Sequence, residues 1–73
     1  MLSAEIVRRK ENMFLARLME YLQPEHLRDI IGKSITCNQT KGKVEGVEGH
    51  LILVKFDTLS PNIGTRFLVE DWY

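Results

Sequence analysis

Apolar residues recur along this chain with two different periods, and the change comes at Gly32. From Ile6 to Leu22 the chain is rich in good helix formers. Phe14, Leu18, Tyr21 and Leu22 stand at i, i+4, i+7 and i+8, one face of a helix, and Leu15 and Met19 widen that stripe. Arg8, Arg9, Glu11, Arg17 and Glu20 fall mainly elsewhere. Ser3 fits an N-cap, and Glu5 suits the positive end of the helix dipole. The turns before Met13 are less apolar, so residues 1–12 are expected to fray. Pro24 breaks this helix and can open another, because its φ is preset and its missing N–H would be an orphan there. Leu27, Ile30 and Ile31 then form an i, i+3, i+4 face, and Gly32 supplies a left-handed stop. The pattern predicts helix over 13–31, interrupted at Gln23-Pro24.

Beyond Gly32 the period is two. Ile35 and Cys37 share one face of a first strand. Residues 40–43 read as a turn, and 43–47 as a short strand. Glu48-Gly49 is a second turn. Residues 50–56 are apolar on both faces, which predicts a central strand. Residues 57–64 read as a loop, and Phe67 and Val69 share a face of a last strand. No internal repeat or low-complexity tract stands out. The expected fold is α+β in a single domain, 1–73: two N-terminal helices, then a four-strand antiparallel meander over 32–73. Short strands with tight turns favour a strongly curved sheet or a small SH3-like barrel.

Length and charge narrow the function. A chain of 73 residues is one small domain with a thin core. Ten Lys and Arg offset ten Asp and Glu, which argues against a generally basic nucleic-acid wrapper. One cysteine, Cys37, permits no internal disulfide and suits a reducing compartment. The longest apolar run is Leu51-Ile52-Leu53-Val54, far short of the roughly 20 residues a spanning helix needs. Residues 1–5 hold no apolar signal core, so a cytoplasmic location without membrane association is expected.

Catalytic constellations are poor. Cys37 reads as a small buried hydrophobe rather than a nucleophile or metal ligand. His26 and His50 have no Cys or His at metal-site spacing. Gly42, Gly46 and Gly49 open strands, not a helix, so no phosphate loop is present. The expectation is a protein that is not an enzyme and holds no cofactor or metal. Binding is the better reading. Ile6, Val7, Arg8 and Arg9 combine apolar burial with cations that pair with carboxylates or RNA phosphates. Trp72 and Tyr73, after two acids, either anchor a partner or fold back to plug an open barrel end. Leu59 and Ile63 are large apolar residues in a loop, and exposed strand edges can accept an added strand.

Ile31-Gly32-Lys33 and the Gly42-Lys43-Val44-Glu45-Gly46 step, behind a helix, resemble Sm-like RNA-binding folds. The Asp-x-x-Met-Asn loop and Arg-Gly pair that hold RNA in that family are absent, so no site carries over. The overall chain, Met1 to Tyr73, also resembles small phage-encoded transcription regulators that bind the RNA polymerase of a Xanthomonas host. The likeness lies in length, neutral charge, lack of a catalytic set and a compact helix-plus-strand design. It implies a host-cytoplasmic inhibitor of initiation that also suppresses termination. Its partner would be the N-terminal end of the largest polymerase subunit, near the RNA exit channel, with nascent RNA within reach. The alternative is an SH3-like or Sm-like RNA-binding module.

Overall fold

The computed structural model describes residues 2–37, 40–57 and 61–70. It is a closed barrel of six antiparallel strands, not two helices and a four-strand sheet. The strands are β1 (Leu2–Lys10), β2 (Met13–Leu18), β3 (Ser34–Cys37), β4 (Thr40–Glu48), β5 (Leu51–Phe56) and β6 (Arg66–Val69). Their order around the barrel is β1-β2-β5-β4-β3-β6. The helix α1 (Pro24–Leu27) and a 3-10 turn (Arg28–Ile30) link β2 to β3.

The expected first helix is the main correction. Residues 2–6 alternate buried and half-buried, the period of a strand. Glu11 takes φ 56° and closes a two-residue turn with Asn12, so the chain reverses where a helix was expected to continue. Phe14, Leu15 and Ala16 are consecutive and all buried, which no single helix face provides. Tyr21, assigned to the apolar stripe, is 84% exposed. Pairing on both sides of β2 overrides its helix-forming composition. Only one turn of the second helix survives. Residues 1–12, expected to fray, hold a nine-residue strand from Leu2 onward. Residues 40–43, read as a turn, open β4. The sheet is no simple meander, because β6 lies between β3 and β1.

Inward side chains fill the barrel. Phe14, Phe56 and Phe67 form an edge-to-face chain, with centroids 6.0 and 5.6 Å apart. Leu27 and Ile30, from α1 and the 3-10 turn, join the same cluster and plug one end.

The barrel repeats itself, a feature missed in the sequence. A shift of 38 positions carries Ile6↔Ala16, Arg8↔Leu15 and Lys10↔Met13 onto Val44↔Val54, Gly46↔Leu53 and Glu48↔Leu51. Both hairpins carry a bulge, at Val7 and at Glu45, and both turn through a left-handed residue, Glu11 and Gly49. Each half is hairpin, connector, strand, with β3 and β6 equivalent. A pseudo-two-fold axis passes between Leu15 and Leu53 on one wall and between Thr36 and Leu68 on the other, since these pairs map onto themselves.

Beyond the two bulges, the ends of β1 and β4 curl toward each other across the outer face of β2 and β5. Lys10 and Glu48, equivalent residues of the two halves, meet there at 2.5 Å. Beneath them Leu15 is fully buried yet stands apart from the interior cluster. The central strand pair is thus covered on both faces.

Candidate functional site

Strand β6 covers β1 only along residues 2–5, and Ile6 completes that edge through Thr65 and Gly64. Residues 7–10 continue the strand, paired with β2 on one side and making no main-chain hydrogen bond to a described residue on the other. The N–H and C=O of Ile6 face away from β2. The extra bulge residue turns Arg8 toward β2, and Arg9 again presents its main chain outward. Residues 45–48 likewise lie beyond the end of the β3 pairing, with Val47 beside Leu27, Arg28 and Ile31 of the connector. An open edge such as that at 7–10 is a template for an added strand.

The residues expected to bind a partner fall in different places. Ile6 is fully buried inside the barrel and offers no surface. Val7 is the half-buried bulge residue. Arg8 and Arg9 are exposed. Arg9 lies with its guanidinium 5.8 Å from the Phe14 ring centroid, while its Nε donates to the Glu11 carbonyl at 3.2 Å. The open edge brings Val7, Arg8 and Arg9 together. Trp72, Tyr73 and Leu59 lie outside the described residues. Ile63 is exposed.

Among the described residues, no group of three or more His, Cys, Asp or Glu side chains is placed to hold a metal ion. Cys37 is buried, with its thiol directed at the Arg66 carbonyl at 3.6 Å. His26 and His50 are both exposed on the helical end of the barrel. Glu48 is the one described group with a clear acidity change. Its carboxyl is held below the ordinary value, chiefly by the hydrogen bond from Lys10. At the plugged end, Leu18, Met19, Tyr21, Leu22, Leu27 and His50 line a shallow depression.

Charges on the outer wall run in rows across the strands. In the first half, Glu5 sits between Arg17, at 3.0 Å, and Arg66, at 3.9 Å. The second half has Lys43 directly opposite Lys55, with Ser34 on the other side. Neither row was singled out from the sequence, because each draws on three strands distant along the chain. Aligning residues 6–18 with 44–56 exposes the repeat that creates them: MFLARL and LILVKF share one apolar pattern ending in a cation and an apolar residue.

No protein-family model, curated protein or solved structure matches this chain.

Proposed function

We propose that this chain works by occupancy, binding bacterial RNA polymerase at the N-terminal end of its largest subunit, restraining initiation and suppressing termination. The open edge of β1 at residues 7–10 carries the proposal. The resemblance to phage-encoded regulators in length and neutral charge supplies the partner, while the helix-plus-strand part of that likeness does not survive the six-strand barrel. A polymerase segment adding to this edge would gain main-chain hydrogen bonds at Arg9. Arg8 and Arg9 would pair with its carboxylates. A small barrel can present one interface of about 800 Å² per partner, enough to block a larger machine without chemistry.

The test is gel filtration with purified core polymerase, together with run-off and terminator read-through transcription. Co-elution, reduced run-off and increased read-through are expected. Arg9→Pro removes an N–H that faces away from β2, so the barrel should keep its thermal transition while co-elution is lost. Absence of co-elution and unchanged transcription by the parent protein would sink the proposal. An Arg9→Pro variant that binds as well as the parent would remove strand addition as its mode.

A further inference from the structure

The pseudo-two-fold exposes an asymmetry with chemical meaning. Glu5 and Lys43 occupy equivalent places in the two halves, as do Arg17 and Lys55. In the first half the row across β6, β1 and β2 reads cation, carboxylate, cation, and the carboxylate is within ion-pair distance of both arginines. In the second half the central carboxylate is replaced by an ammonium. Lys43 and Lys55 therefore face each other as a directly opposed like-charge pair, an arrangement that costs stability in a sheet. Lys41, two positions along the same outer face of β4, extends the cationic strip, and all three side chains are exposed. None of the three forms an ion pair with a described residue. Glu45 and Asp57 border the strip without pairing to it.

We infer that Lys41, Lys43 and Lys55 form a binding site for the phosphodiester backbone of a nucleic acid, whose phosphate bridges the opposed ammonium groups and supplies the negative charge that Glu5 supplies in the other half. The strip lies on β4 and β5, away from the open edge of β1, and the inference does not rest on the polymerase reading. Lysines bind phosphates as point charges, so the strip should track a backbone without reading bases. With zero net charge on the chain, attraction to a polyanion comes from local cationic clusters such as this strip rather than from the molecule as a whole.

Fluorescence anisotropy of the isolated protein, with labelled oligo(U) and oligo(dT) of about 16 nucleotides, tests it without polymerase present. Binding is expected at about 50 mM salt, with affinity falling about a hundredfold per tenfold rise in salt for three phosphate contacts. Equal affinity for the two polymers assigns the site to the backbone alone. Preference for oligo(U) assigns it to RNA with additional 2′-hydroxyl contacts. The decisive variant is Lys43→Glu, which places a carboxylate opposite Lys55, as Glu5 stands opposite Arg17 in the first half. It should weaken binding about tenfold or more while raising the melting temperature by about 2–4 °C. Arg28→Glu makes the same change of net charge at the helical end and should leave affinity within about twofold. Lys55→Gln should also weaken binding, a second check independent of the introduced carboxylate. Unchanged affinity in Lys43→Glu and Lys55→Gln, equal weakening in Arg28→Glu, or equally effective competition by polyglutamate would each overturn the assignment.

Discussion

Glu11 and Gly49 stand at equivalent turn positions and share a left-handed conformation, φ 56° and 65°. Glycine enters that region without steric cost, whereas a residue with a Cβ is strained there. The repeat therefore compares two solutions to one turn. Glu11→Gly should stabilise the protein by about 0.5–1 kcal/mol, the relief of strain exceeding the added freedom of the unfolded chain. Gly49→Ala should cost about 1 kcal/mol, although open space surrounds a Cβ at that position. Urea unfolding of the two variants measures both signs. Destabilisation by Glu11→Gly would mean that Glu11 contributes more to the turn than its backbone requires. The Arg9 bond to the Glu11 carbonyl survives the substitution, since it uses the main chain.

At the scale of elements, the strands after Gly32 were the legible part, because the alternation of Ile35 with Cys37 and of Phe67 with Val69 reflects one buried face. The first two strands were hidden by their composition. Leu, Met, Arg and Glu favour helix locally, and Phe14, Leu15 and Ala16 erase the alternation because both faces of β2 are covered. The turn at Glu11 was equally hidden, since glutamate is not a residue that signals a left-handed backbone. The candidate site fared similarly. Arg8 and Arg9 stood out as a basic run, while Ile6 gave no local sign that it faces the barrel interior. The helical segment acts mainly as a plug rather than as a helix. Ile30→Ala should therefore cost about 2–4 kcal/mol, from lost burial and the cavity left at the barrel end. Glu25→Gly, on the exposed side of the single turn of α1, should cost no more than about 1 kcal/mol. Equal costs in thermal unfolding would assign the segment a stability of its own.

The whole molecule is two hairpin-and-strand halves closed around an axis, and Lys10 and Glu48 meet where that axis leaves the β2–β5 wall. Equivalent positions can exchange side chains without changing the geometry of the pair. The double variant K10E/E48K should restore much of the stability lost in K10E alone. Equivalent positions are not identical surroundings, however, because Arg8 also favours the charged form of Glu48. The exchange is therefore expected to recover the pair and not the last part of its field. Acid provides the second readout. The Glu48 carboxyl titrates below its ordinary value of 4.5 in the folded protein, so its contribution is present above that value and is lost as pH falls through the folded one. The denaturation midpoints of the parent and of Glu48→Gln should differ at neutral pH and converge in acid. The same convergence should appear when K10E/E48K is compared with K10Q/E48K, because the exchanged carboxylate again faces an ammonium. Failure of the double exchange to recover stability, with each single variant folded, would show that the two halves differ in backbone where their pairing makes them equivalent. Recovery together with acid convergence would establish that the outer roof over Leu15 is held by the pair itself, whichever half supplies the carboxylate.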